Sequence, residues 1–410
     1  MQPKTPQRHL TTNRPRTTIN NLIAYTISLY SNNDIYLEIP LMAEPLKHLV
    51  GPDLLEQLAN NILHVMPQFN ADGFKQSFTD HYLELELMPR CHLVADCLYA
   101  FLPKEYIAAV KVILDSLGPA HPSTTDFSEV SFLHLPFSLF VGKYGLDHFE
   151  ESMTAQHEIT QRFTAEFSIR AFIERYPLQS FELFQQWIKD PSPHVRRLVS
   201  EGTRPRLPWA SRLRELQADP SPIIPLLEAL KDDPELYVRR SVANNLNDIG
   251  KDHPQLVYQL LARWQKHSNK NRDWVINHAL RSAIKRCEPE ALALLGYTDA
   301  THIETSNSVI TPRHTHIGKS VRINTTLHNQ GSNSKALMVD FAVHYIKSNG
   351  KARSKVFKWC QIELESSSKK VLSKKLNLAN LSTRTHFTGT HKVDIIINGQ
   401  WSYLGEFQLE

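Results

Sequence analysis

Two carboxylates and an indole stand among arginines in the central third of this chain. Glu166 lies in "HEITQRFTAEFSIRAFIERYP" (157–177), Trp209 follows Arg204 and Arg206 in "EGTRPRLPWA" (201–210), and Asp248 ends "LYVRRSVANNLND" (236–248). Carboxylates held near a reacting centre stabilise a developing cation and can position or deprotonate a water. Glycoside hydrolases set a carboxylate pair against a sugar oxocarbenium ion in this way. An indole adds a negative π-face, worth about 0.5 to 2 kcal/mol toward a nearby cation. Arginines such as Arg197 and Arg240 can grip phosphates beside such a centre.

Each residue also has a plainer reading. Asp248, two residues before Gly250, suits a solvated position ahead of a helix C-cap. Glu166 between Arg162 and Arg170 suits an ion-paired i, i+4 row worth a few tenths of a kcal/mol. Trp209 after Pro208 suits an aromatic that fills the gap between two structural repeats. Residue type and spacing leave both sets of readings open.

The elements that must position these side chains are helical. At about 100° per residue, Val238, Val242, Leu246 and Ile249 form one apolar stripe, and Arg240, Asn244, Asn247 and Asp248 fall on the other side. The segments "DPSPHVRRLVSEG" (190–202) and "DPELYVRRSVANN" (233–245) align 43 residues apart, superposing Arg197 on Arg240 and Glu201 on Asn244. A looser echo, "DWVINHALRSAI" (273–284), places Trp274 ahead of a row of His278 and Arg281. That period belongs to HEAT and armadillo repeats, whose stacked helices form a solenoid with a concave face lined by the second stripe of each inner helix. One amphipathic helix is expected over 157–177, with Ile159 and Phe163 inward and Arg162, Glu166 and Arg170 outward. Trp187, Trp264 and Trp274 sit in apolar helical patterns that suit a core.

After residue 300 the pattern becomes alternating, with β-branched and aromatic runs bounded by Asn-Gly and Ser-rich turns. Around seven short strands in about 100 residues suggest an immunoglobulin-like sandwich. The expected fold is therefore mainly α: an α-solenoid of HEAT-like repeats followed by a C-terminal immunoglobulin-like β-sandwich. Expected boundaries are an extension over 1–41 that is disordered or dispensable, with Met42 as a natural start, a repeat domain over 42–298, a linker over 299–312 and the sandwich over 313–410.

Residues 301–410 hold 15 Lys+Arg against 7 Asp+Glu, although the whole chain carries only +4, which points to a polyanion as partner. The pairs Lys369-Lys370 and Lys374-Lys375 suit solvated strand edges. Cys91, Cys97, Cys287 and Cys360 have neither metal-ligand spacing nor disulfide-scaffold density, and His157, His253 and His278 are scattered, so no metal site is expected. No apolar run approaches the roughly 20 residues that span a bilayer, and no secretory signal pattern opens the sequence. A cytoplasmic protein without membrane contact is expected.

The runs "QRFTAEFSIRAFI", "VRRLVSEGTRPRLPWA", "YVRRSVANNLNDIGKDHP" and "NHALRS" resemble the AlkC-type DNA alkylation repair glycosylases, relatives of AlkD in a superfamily of HEAT-like repeats. The resemblance covers about 43–298, and the C-terminal strands are similar to the immunoglobulin-like domain found on a subset of AlkC proteins. It implies excision of 3-methyladenine and 3-methylcytosine from double-stranded DNA, without full extrusion of the nucleotide. It places Glu166, Trp209 and Asp248 at catalytic positions and Arg197 at a DNA-binding position. Arg204, Arg206, Arg240, Asn244, Trp274 and Arg281 are added as candidate DNA contacts. The implied enzyme is a monomeric, monofunctional bacterial glycosylase that needs no cofactor and cleaves no strand. The rival reading is a non-catalytic repeat scaffold that binds nucleic acid or protein, since a polar concave face can hold either. An extracellular adhesion protein built on the sandwich is disfavoured by the missing signal pattern.

Overall fold

A computed structural model describes residues 45–410, except 79, 122–123, 125–128, 268 and 382–383. The expected extension over 1–41 lies outside the described residues. The chain divides into two compact units, one up to Asn245 and one from Leu246 to Glu410.

The first unit is helical. It contains α1 (Pro52–Val65), α2 (Ala71–Ser77), α3 (Leu87–Phe101), α4 (Tyr106–Asp115), α5 (Leu135–Tyr144) and α6 (Phe149–Thr160). There follow α7 (Ile169–Arg175), α8 (Pro177–Trp187), α9 (Pro193–Gly202), α10 (Arg214–Ala218), α11 (Ile224–Leu230) and α12 (Leu236–Ile249), whose last turn belongs to the second unit. The apolar stripe of α12 is buried as its periodicity predicts, and Trp187 is core.

The 43-residue repeat has a physical basis in its Asp-Pro and Arg-Arg pairs. Asp190 Oδ1 accepts from Ser192 N at 2.8 Å and Asp233 Oδ1 from Glu235 N at 2.9 Å, so each Asp folds the turn that starts its helix. The first Arg of each pair then reaches back to that turn. Arg196 donates to the carbonyls of Asp190 and Pro191 at 2.8 and 3.0 Å, and Arg239 to those of Asp233 and Pro234 at 2.5 and 2.9 Å. Arg196 also grips the Asp233 carboxylate at 2.6 and 3.1 Å, which ties one repeat to the next. The second Arg, Arg197 or Arg240, is left for other work.

The helix expected over 157–177 is two helices. α6 stops at Thr160 and α7 starts at Ile169, so Glu166 stands in the connecting turn rather than on a helix face. Tertiary contacts break the helix: His121 N donates to the Gln161 carbonyl at 2.8 Å, and Arg162 donates to the Gly118 carbonyl at 2.9 and 3.0 Å.

In the second unit come α13 (Pro254–Gln265), α14 (Lys270–Lys285) and α15 (Pro289–Leu294), with Trp264 buried. The strands are β1 (Ile303–Thr311), β2 (His314–Thr315), β3 (Ser320–Asn329) and β4 (Lys335–Ile346), then β5 (Ala352–Leu364), β6 (Lys369–Asn377), β7 (Gly389–Ile397) and β8 (Gln400–Leu409). They form two sheets, β1-β3-β6 and β2-β8-β7-β4-β5, around a core that includes Ile323, Leu327, Phe341, Val343, Val393, Ile395 and Phe407. This is the expected immunoglobulin-like sandwich. The segment 299–312, expected to be a linker, contains β1, which pairs antiparallel with β3. Asn398 and Gly399, with φ of 48° and 84°, make the two-residue β7–β8 hairpin that Asn-Gly predicts.

The larger sheet is covered on its outer face too. Met338, Ala342 and Ile396 point away from the sandwich core and are nonetheless buried. A Cβ on Gly399 would stand 2.8 Å from Leu292 Cδ1 and 3.1 Å from Cys287 Cβ, so the hairpin lies directly on α15 and the residues before it. Asn398 donates to the Thr298 carbonyl at 2.8 Å and Gln400 to Asp299 at 2.7 Å. Burial pushes the Asp340 carboxyl up to about 6, against the pull of Lys358 on β5 and Lys285 on α14. No described helix is long and apolar enough to cross a membrane.

Candidate active site

Glu166 is oriented through one oxygen. Oε2 receives Arg197 Nη1 at 2.6 Å and the Thr164 hydroxyl at 2.9 Å, while the Thr164 hydroxyl also accepts from Arg197 at 3.3 Å. Oε1 receives no hydrogen bond from the described residues. The expected ion-paired row is replaced by other partners. Arg162 pairs with Glu158 at 2.8 Å, and Arg170 is buried among backbone carbonyls.

Arg197, expected at a phosphate, is turned inward. Besides Glu166 it approaches Glu201 Oε1 at 3.7 Å and lies 5.1 Å from the centroid of the Tyr237 ring. Burial pushes the Tyr237 hydroxyl up to about 12, with Arg197 pulling the other way. Burial, reinforced by Arg197, pushes the neighbouring His194 down to about 4, so it adds no cation at neutral pH. Arg204 is also spent internally: it is 7% exposed and meets Glu201 Oε1 at 2.6 Å. Burial would raise the Glu201 carboxyl, but Arg204, Arg197 and the Ser241 hydroxyl at 2.6 Å hold it well below the usual carboxylate range. Thr164, Glu166, Arg197, Glu201, Arg204 and Tyr237 thus form one continuous polar cluster in the first unit.

Trp209 is 59% exposed, so it plugs no gap between repeats. Its φ of 64° is left-handed backbone, which costs a non-glycine residue about 1 to 2 kcal/mol. Exposure and strain in one bulky aromatic are a mark of functional positions. Arg206, in the same loop, is half-buried.

On α12, Arg240 and Asn244 are half-buried. Arg240 has no ion-pair partner among the described residues, and burial lowers its pKa. Asp248 is 1% exposed, not solvated, and pairs with Lys251 Nζ at 2.8 Å. In the second unit Trp274 is half-buried rather than core. It stacks on His278 at 4.8 Å with an interplanar angle of 11°, and Arg281 donates to the His278 carbonyl at 2.6 Å. Among the described residues, no group of three His, Cys, Asp or Glu is arranged to hold a metal ion.

A family model described as "DNA alkylation repair enzyme" matches residues 155–284, a span that contains Glu166, Trp209 and Asp248. The uncharacterized protein YhaZ of Bacillus subtilis (strain 168) is 34% identical over 365 residues, 89% of this chain and 99% of that protein. The solved structure of the Pseudomonas fluorescens alkylpurine DNA glycosylase AlkC, bound to DNA containing an abasic site analog, is 35% identical. It covers 89% of this chain and 99% of its own, with a TM-score of 0.81. The chain belongs to the AlkC-type DNA alkylation repair family. A second model, the C-terminal Ig-like domain of YhaZ, matches residues 304–410, which places β1 in the domain.

In this AlkC-type chain three members of the cluster are not among the residues that motif and spacing single out. Thr164 carries no motif, and Glu201 stands out only as the counterpart of Asn244 in the repeat. Tyr237 has a usable signal: it aligns with His194 across the repeat, the two rings lie 5.6 Å apart, and the Tyr237 ring stands against Arg197. The cluster supplies an anionic oxygen held in place by a cation on its far side. Such an oxygen can face a positive centre without turning toward its own counter-ion.

Proposed function

We propose that this protein is a monofunctional DNA glycosylase that hydrolyses the N-glycosidic bond of cationic N3-alkylated bases, 3-methyladenine and 3-methylcytosine, in duplex DNA. The lesion need not leave the helix stack fully. The observation that carries this reading is Glu166, fixed through Oε2 and uncommitted at Oε1, in a chain that matches an alkylpurine DNA glycosylase almost end to end.

The chemistry follows from charge. When the bond between C1′ and the base nitrogen breaks, its electron pair goes to the base, which leaves neutral and needs little or no general acid. The positive charge passes to the sugar as an oxocarbenium ion. Carboxylates at Glu166 and Asp248 stabilise that ion, and one of them accepts a proton as a water oxygen bonds to C1′. Trp209 offers its π-face to the same cation. Seven residues, about two helical turns, separate Asp248 from Ser241, the partner of Glu201, so the two side chains leave α12 on one face. Arg240, Arg206, Asn244, Trp274 and Arg281 supply contacts along the duplex, and the basic sandwich adds charge. A single chain suffices, working in the cytoplasm.

The test is a duplex bearing one defined N3-methylated base. Free methylated base should appear, with no strand cleavage until the abasic product is treated with alkali. Asp248→Asn should lose release by about 100-fold or more while keeping fold and duplex affinity. Duplex binding with no release by the wild-type protein would make the chain a binding scaffold instead.

A further inference from the structure

We propose that Arg170 is the positioning residue for Trp209, and that it acts by clamping the loop that presents the indole. Arg170 is 2% exposed and sits near the start of α7. Its Nη1 donates to the carbonyls of Gly202 at 3.0 Å and Arg204 at 2.8 Å, and its Nη2 donates to that of Ser211 at 2.6 Å. Two of these carbonyls precede Trp209 in the chain and one follows it. One guanidinium therefore holds both ends of the loop.

Ahead of the indole the loop is anchored by the Arg204–Glu201 pair and by buried Leu207. Pro205 and Pro208 have no N–H to give, and its own backbone bonds are long: Ala210 to Leu207 at 3.4 Å and Leu213 to Pro205 at 3.3 Å. Trp209 is left-handed and largely exposed, so its own burial cannot sustain that conformation. A strained residue persists only where its surroundings over-determine it. The planar fork of Arg170 does this because its donors reach three carbonyls at once, which the ammonium of a lysine cannot reproduce in a plane. Gly202 completes the arrangement. A Cβ there would stand 2.6 Å from Ile169 Cγ2, so only glycine lets the end of α9 come close enough to α7 for its carbonyl to meet Arg170.

This inference rests on the reading that Trp209 touches the lesion, and the test separates the two. Single-turnover release of a defined N3-methylated base would be compared for the full-length wild type, Arg170→Lys, Trp209→Ala and the double variant. Circular dichroism would confirm folding, and the share of acrylamide quenching that Trp209→Ala removes, among six tryptophans, would report how far Trp209 is presented. Arg170→Lys should slow release about 10-fold or more, with unchanged affinity for undamaged duplex and altered quenching, and the double variant should be no slower than Trp209→Ala alone. If Arg170→Lys does not fold, Gly202→Ala takes its place in the same comparison. Should the two substitutions slow release independently, Arg170 does not act through Trp209 and the proposal falls. If Trp209→Ala alone leaves release unchanged, the assignment of Trp209 to the site falls first, and this inference with it.

Discussion

Arg197 and Glu166 meet on one oxygen, Nη1 to Oε2 at 2.6 Å, and Thr164 takes the same oxygen. A guanidinium engaged by two carboxylates and an aromatic face has little charge left for a phosphate. Arg197→Lys should slow base release about 10- to 100-fold, and the salt dependence of duplex binding should keep its slope. If the slope drops by about one with release intact, Arg197 is a phosphate ligand after all.

Arg240, its counterpart one repeat later, should behave in the opposite way. Half-buried, it contributes a cation whose burial no carboxylate among the described residues offsets. Arg240→Ala should weaken binding to damaged and undamaged duplex alike and lower the salt slope by about one. Its thermal midpoint should not fall. A destabilised variant with an unchanged slope would assign Arg240 to the fold.

Trp209 sets stability against activity. Glycine adopts a φ of 64° without strain, so Trp209→Gly should be about 1 kcal/mol more stable than Trp209→Ala in chemical denaturation. Both variants should release base far more slowly than the wild type. Equal stability of the two would mean that the backbone at 209 is relaxed.

The sandwich should be acid-sensitive. His391 is fully buried, its ring stacked on Phe407 at 5.2 Å, and burial lowers its pKa from 6.5, with a hydrogen bond to the Gly389 carbonyl opposing. The folded-state pKa lies below the unfolded one, so the unfolded chain takes up the proton first. The stabilisation is complete above about pH 6.5 and is lost as pH falls from there toward the folded pKa. Melting followed from neutral pH to about pH 5 should show a falling midpoint, and His391→Phe should flatten that dependence. An equally steep fall in the variant would place the titration elsewhere.

Periodicity carried the architecture but not the orientation of side chains. The stripe of α12, the 43-residue repeat and the Asn-Gly hairpin were legible because each reflects local geometry. The break after Thr160 was not. No proline or glycine marks it, and the apolar spacing continues through Phe163, while the contacts that unwind the chain come from Gly118 and His121. Nor can a sequence say which way an arginine turns. Arg204 reads as cationic loop surface but is drawn inward by Glu201, forty residues before the Ser241 that shares that carboxylate. β1 was hidden because its exposed positions carry Glu, Ser, Thr and Asn, which resemble a linker.

The hairpin seated on α15 bears on how the role of the sandwich can be measured. Chopping the gene at residue 300 would lay bare Leu292 and Cys287, which the Asn398–Gly399 turn now shields, and would cut through a single compact body rather than between two. An inactive stump of that kind would report collapse as readily as a missing grip on the substrate. Neutralising Lys369 and Lys375, both on the solvent side of β6, would instead strip charge while the scaffold stays whole.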